Sequence, residues 1–159
     1  MVRPDSLAPL ASYAAPNKML WFARVQPLHA GIEMAERDRL LILVAEDEPA
    51  TAAMVQAQLA SAGFDVAVRA DGAAAWLAYS QIRPDLLVAD IQMPIMDGDE
   101  LVRRVLSYAA HFPIVVFSAS PEQALLILYE HPKARIRFVS KPWTSAELES
   151  AIRSLLQQG

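Results

Sequence analysis

Four short apolar runs in this 159-residue chain each end on a polar residue of a particular kind, and that pattern restricts the fold more than any other feature. Leu40 to Ala45 leads into Glu46-Asp47, Leu86 to Ala89 into Asp90, Ile114 to Phe117 into Ser118, and Ile136 to Ser140 into Lys141-Pro142. Short apolar runs without alternation suit strands covered on both faces, the usual state of a parallel sheet. If the runs are parallel strands, all four ends meet at one edge of one sheet. A carboxylate there stands beside a low-dielectric core, where its charge is costly unless a cation compensates it. Three acids, a hydroxyl and a lysine converging on that edge point to a metal-dependent phosphoryl site.

The segments between the runs read as helices, so that strand and helix patterns alternate five times after residue 38, as in an α/β fold with helical crossovers. The first helix follows Pro49, carries Ala52, Val55, Leu59 and Ala62 on one stripe, and stops at Gly63, a residue suited to a left-handed cap. A second spans Ala73 to Ile82 and is closed by Pro84. The third runs from about Glu100 to Ala110 with Leu101, Val105 and Tyr108 inward. A fourth opens at Ser120-Pro121, where the serine is suited to cap. Thr144 to Glu147 is a capping-box pattern for the fifth, which buries Leu148, Ile152 and Leu155.

Phe64 to Ala70 and Arg135 to Ser140 interleave charged residues with apolar ones, which marks them as edge strands. With right-handed crossovers, placing strands two and five outside gives the order 2-1-3-4-5. That is a doubly wound five-stranded parallel sheet of the flavodoxin-like kind. Its ligand crevice is expected at the carboxyl ends of strands one and three, where Glu46, Asp47 and Asp90 lie.

Composition narrows the setting. At this length and 54% hydrophobic residues, one domain of roughly 100 to 150 residues plus an extension is expected. The boundary falls near residue 38. Pro4, Pro9, Pro16 and Pro27 interrupt every candidate element before it, so residues 1–37 read as a largely disordered extension and 38–159 as the folded domain. Within the extension, Met19 to Phe22 is read as a loosely packed tail rather than an anchor, and residues 1–33 are expected to be dispensable for folding. The absence of cysteine excludes disulfides and thiolate metal sites and fits a reducing compartment. A net charge of −4 gives no basic field for nucleic acid, so direct nucleic-acid binding is not expected. No apolar stretch approaches the roughly 20 residues that span a bilayer, and Pro4-Asp5 spoils a signal peptide. A cytoplasmic protein without membrane contact is the expectation.

From about residue 39 to 157 the chain resembles the receiver domain of two-component response regulators. The matching pieces are Glu46-Asp47, Asp90 followed by Met93-Pro94-Ile95-Met96-Asp97-Gly98, Ser118-Ala119, and Lys141-Pro142, in that order and each at a strand end. Singly, each has an ordinary explanation as a loop cap, a turn or a solvated lysine. Jointly they carry the resemblance. It implies that Asp90 is the nucleophile toward a phosphohistidine donor. It also implies that Glu46, Asp47, Asp90 and the Gln92 backbone carbonyl hold Mg²⁺, and that Lys141 and Ser118 contact phosphoryl oxygens. A cis Lys141-Pro142 bond is a further implied feature. The partners implied are a sensor histidine kinase or phosphotransfer protein upstream and a downstream protein, with no separate substrate turned over.

Two departures stand out. Glu46 occupies a place where the family more often has aspartate, and Phe138 a place where it often has a switching tyrosine; Phe138 lacks the hydroxyl for a buried hydrogen bond. A haloacid-dehalogenase-like phosphatase also pairs a strand-end aspartate with Mg²⁺ and lysine, but wants a second acid two residues on. Gln92 stands there. A pseudo-receiver that binds without being phosphorylated is the third class, although every chemical group is retained. His29, His111 and His131 share no pattern and receive no catalytic role. With the last helix reaching Gln157, a single-domain, chemotaxis-type regulator is expected, its output a changed surface. The fourth helix supplies a candidate: Glu122, Leu126 and Glu130 fall on one line, so Leu126 and neighbouring Ile127 are expected to face a partner or a second copy of the chain.

Overall fold

The computed structural model describes residues 38–157. Five strands and five helices alternate: β1 Leu41–Ala45, α1 Pro49–Ser61, β2 Asp65–Arg69, α2 Gly72–Ile82, β3 Leu86–Asp90, α3 Gly98–Tyr108, β4 Ile114–Ser118, α4 Pro121–Glu130, β5 Ile136–Ser140 and α5 Ser145–Leu156. All strand pairs are parallel, in the order β2-β1-β3-β4-β5 that the charge pattern of the edge strands foretells. The extension expected over residues 1–37 lies outside the described residues.

Each central strand is buried on both faces, which is why its sequence is a continuous apolar run. Leu43, Ala45, Leu87, Ala89, Ile114 and Val116 face a cluster completed by α2, α3 and Ile127 of α4. Ile42, Val44, Leu86, Val88, Val115 and Phe117 face α1 and α5 through Val55, Leu59, Leu148, Ile152 and Leu155. The helices start where local chemistry allows. Asp71 and Asp97 each accept a first-turn N–H, and Thr144 and Glu147 form the reciprocal capping box. Gly63 takes φ +94° just past α1, as its position in the sequence suggests.

Three expectations about helices need correction. Tyr108 is half exposed rather than inward, because α3 ends there and the ring lies edge-on to Trp76 across the helix gap. Ser120 does not cap α4; its hydroxyl donates to Glu122 at 2.5 Å instead. Ile127, assigned to the partner surface, is 1% exposed and belongs to the core, since α4 turns Ala124 and Ile127 inward together at a spacing of one helical turn. Leu126 is 51% exposed, as the Glu122 to Glu130 line implies.

Candidate functional site

Parallel pairing brings the strand ends to one place. Ala45 lies opposite Ala89, Asp90 opposite Phe117, and Ser118 opposite Ser140, so Glu46, Asp90, Ser118 and Lys141 line up across four neighbouring strands. The backbone N–H of Glu46 continues the ladder by donating to Arg69 at 3.0 Å. Its side chain is 1% exposed, and one carboxylate oxygen accepts the Glu48 N–H at 3.1 Å. Asp90 is 6% exposed, and the Lys141 Nζ donates to it at 2.8 Å while lying 3.5 Å from Glu46. Asp47 is exposed at the mouth.

The electrostatics follow from this geometry. Burial raises the pKa of Glu46 above the ordinary 4.5; the Glu48 N–H and Lys141 pull it down, and the Asp90 charge pushes it further up. Burial works against the charge on Lys141, but the Asp90 hydrogen bond and the Asp90 and Glu46 charges outweigh it and hold its pKa above 10.5. One lysine therefore compensates two nearly buried carboxylates. Glu46, Asp47 and Asp90 each offer an oxygen, all within 4.8 Å of one another. An all-oxygen, acid-rich donor set beside a partly uncompensated glutamate fits a hard divalent cation such as Mg²⁺.

The remaining expected residues are placed as follows. The Ser118 hydroxyl is buried and locally engaged, donating to the Ser120 carbonyl at 2.7 Å and accepting its N–H at 3.0 Å. The Gln92 N–H donates to Asp90 at 3.4 Å and its side chain is exposed, leaving no second acid beside Asp90 in this loop before Asp97. Lys141-Pro142 is cis. Phe138 is half-buried against the same cluster as Ile127.

Some residues that shape the site are not picked out by sequence reasoning. Gly98 donates to the Ile91 carbonyl at 2.8 Å, and a Cβ on it would sit 1.9 Å from the Asp90 carbonyl oxygen, so only glycine lets α3 start this close to β3. The Asp97-Gly98 pair signals a turn, but not the close approach. Ile95, between buried Met93 and Met96, adopts φ +70° and projects into solvent, a conformation β-branched residues rarely take. Trp143 stacks on Phe117, a pairing between segments far apart in the chain that no local pattern signals.

The model of the response regulator receiver domain matches residues 42–153. The DNA-binding response regulator MtrA of Mycolicibacterium smegmatis is 36% identical over 120 residues, covering 76% of this chain and 52% of that protein. The transcriptional regulatory protein TrcR of Mycobacterium tuberculosis is 30% identical over 127 residues, covering 80% of this chain and 49% of that protein. The chain thus spans about half the length of these two relatives. The sensor histidine kinase TmoS of Ectopseudomonas mendocina is 32% identical over 129 residues, 80% of this chain and 13% of the kinase. Among solved structures, a putative response regulator from Chloroflexus aurantiacus superposes with a TM-score of 0.68 at 26% identity, covering 75% of this chain and 98% of that one. The chemotaxis protein CheY4 of Vibrio cholerae does so with a TM-score of 0.66 at 26% identity, covering 74% and 98%.

Proposed function

The chain belongs to the receiver domain family of two-component response regulators, and from that premise we propose that Asp90 is its phosphoacceptor, charged by a phosphohistidine-bearing kinase or phosphotransfer protein. An Asp90 oxygen attacks phosphorus as the phosphorus–nitrogen bond breaks, leaving an acyl phosphate on the aspartate and the electron pair on the imidazole nitrogen. The observation that carries this reading is the 2.8 Å contact between Lys141 Nζ and Asp90, next to a second buried carboxylate on the neighbouring strand. Receiver domains typically bind Mg²⁺ at such an acidic pocket. Here Glu46, Asp47, Asp90 and the Gln92 carbonyl would hold it, where it would neutralise charge on the transferring group. Lys141 keeps its proton through the neutral range and accompanies the charge onto the phosphoryl oxygens.

Ser118 is the proposed switch. To donate to a phosphoryl oxygen its hydroxyl must leave the Ser120 carbonyl, which moves the start of α4. That helix is anchored by a narrow stripe, Ala124 and Ile127, together with the Arg103–Glu130 ion pair to α3. Its exposed Leu125, Leu126 and Tyr129 form the surface read by a downstream protein or a second copy, and Phe138 is half-buried against the core cluster that holds Ile127. Signalling rather than turnover of a separate substrate is the outcome. Among the described residues no helix is long and apolar enough to cross a membrane, and the proposed setting is the cytoplasm.

Mass spectrometry after incubation with acetyl phosphate and Mg²⁺ tests the assignment. One phosphoryl group per chain is expected, lost in Asp90→Asn and in excess chelator. Labelling of Asp90→Asn to the wild-type level would move the phosphoacceptor elsewhere.

A further inference from the structure

The segment that delivers Lys141 is held from both sides. Upstream, Ser140 pairs with Ser118, and the Lys141 backbone N–H donates to the Ser118 carbonyl at 3.2 Å. Two residues downstream, the Trp143 indole lies flat on Phe117, with centroids 4.1 Å apart and planes 12° from parallel. Phe117 is fully buried and sits opposite Asp90 in the β3–β4 register. The stack therefore ties the turn after β5 to the strand beside Asp90. Thr144 then opens α5 through its capping box, so Trp143 is the last residue before a fixed helix start. The indole N–H is buried and has no hydrogen-bond partner among the described residues. Trp143 is held by the face of its ring, and its nitrogen contributes nothing to the hold.

Resting on the reading of Asp90 as phosphoacceptor, we propose that Trp143 is a positioning residue whose stack on Phe117 sets the Lys141 backbone so that Nζ meets Asp90. The reason is geometric. Lysine is a point charge on a flexible four-carbon stem, so its Cα position decides which acid it reaches without loss of side-chain freedom. Two carboxylates lie in range, at 2.8 Å and 3.5 Å, and a slack turn would let Nζ drift from Asp90 toward Glu46 or solvent. Misplacement by about 1 Å can slow a positioned reaction on the order of a hundredfold.

The test is the initial rate of Asp90 labelling by acetyl phosphate at saturating Mg²⁺. It is compared for wild type, Trp143→Ala, Trp143→Phe, Lys141→Ala and the Trp143→Ala/Lys141→Ala double variant, at a temperature where circular dichroism shows each folded. Trp143→Ala is expected to label about tenfold more slowly. Trp143→Phe keeps a smaller stacking ring and drops the unpaired donor, so it should stay within about twofold of wild type in rate while melting somewhat lower for the ring area it no longer packs. Once Lys141 is gone, Trp143→Ala should slow labelling by less than about twofold more, because the two act through one contact. Trp143→Leu, which keeps apolar bulk without a flat ring, should show the same rate loss and carries the test if the alanine variant does not fold. Wild-type rates in Trp143→Ala or Trp143→Leu, or a full tenfold loss on top of Lys141→Ala, would overturn the positioning role. An unlabelled wild type would instead overturn the phosphoacceptor reading and this inference with it.

Discussion

At the C-terminal edge of the sheet, Glu46 and Asp90 are 1% and 6% exposed, whereas on α4 Leu126 is 51% and Tyr129 85% exposed. Charge lies inside in one region and apolar surface outside in the other, the two placements that ordinary burial disfavours. They are stabilised differently. Each buried carboxylate has specific partners: the Glu48 N–H for Glu46, the Gln92 N–H for Asp90, and Lys141 for both. Among the described residues the exposed face of α4 has no such compensation, and the helix rests on Ala124, Ile127 and one surface ion pair, a kind of contact worth about 0–1 kcal/mol. Fixed geometry suits the chemistry proposed for the first region, and a weakly anchored apolar face suits the changing surface proposed for the second.

If the site is rigid, crowding it should be the most damaging change. Gly98→Ala would place a methyl group 1.9 Å from the Asp90 carbonyl oxygen, a contact with backbone that no side-chain rotation relieves. A loss of about 1–3 kcal/mol is expected, lowering the melting temperature by on the order of 10 °C and slowing Asp90 labelling. A variant that melts and labels like wild type would show that the loop after β3 gives way easily, and the contrast with α4 would fail.

A smaller effect separates charge from packing within the site. The folded pKa of Glu46 lies above its ordinary 4.5, with burial the leading cause. An acid with a raised folded pKa binds its proton more tightly in the native state than in the unfolded chain. Its contribution to stability is therefore fully present below pH 4.5 and is lost as pH rises through the raised value. Glu46→Gln removes that loss. In chelator at neutral pH the variant should melt a few degrees higher than wild type, and the difference should shrink toward pH 4. With Mg²⁺ present the order should narrow or reverse, because wild type alone gains from the ion. A Glu46→Gln protein less stable than wild type in chelator would mean that Lys141 already compensates the glutamate in full.

The sequence made the fold legible because the strands stand out as short apolar or charge-interleaved runs and several helix ends carry local signals: Gly63 after α1, Pro84 after α2, and the Thr144 to Glu147 box at the start of α5. The site was legible for a related reason, since a polar residue at the end of an apolar run has only one place to be in a parallel sheet. Contacts between distant segments were not. Ile127 and Leu126 are adjacent and equally apolar, and only the approach of α3 and the sheet decides that one is core and the other surface. Tyr108 sits at the helix end, where the inward stripe runs out. The Gly98 approach and the Trp143 stack depend on backbone and rings brought together across the sheet, which no local spacing encodes.

The mildest substitution addresses the other half of the comparison. Leu126 lies between Glu122 and Glu130 on the outer line of α4, and replacing it with glutamate removes apolar surface that is already half in water. Leu126→Glu should change the melting temperature by no more than a few degrees, since surface changes away from special features stay within about 0.5 kcal/mol. It should also label at the wild-type rate, because among the described residues the hydrogen-bond partners of Glu46, Asp90, Ser118 and Lys141 do not include it. What it should lose is recognition. Burying a leucine fully is worth roughly 1.5–3 kcal/mol and Leu126 has about half of its surface left to bury, so dimerisation of the phosphorylated protein, or binding of its reader, should weaken by roughly four- to tenfold. Sedimentation of the phosphorylated chain with and without the substitution measures the first of these. A large fall in stability would place Leu126 in the core after all. Unchanged stability with unchanged association, and with reader binding also intact, would mean that the apolar face of α4 is not the surface on which phosphorylation is read.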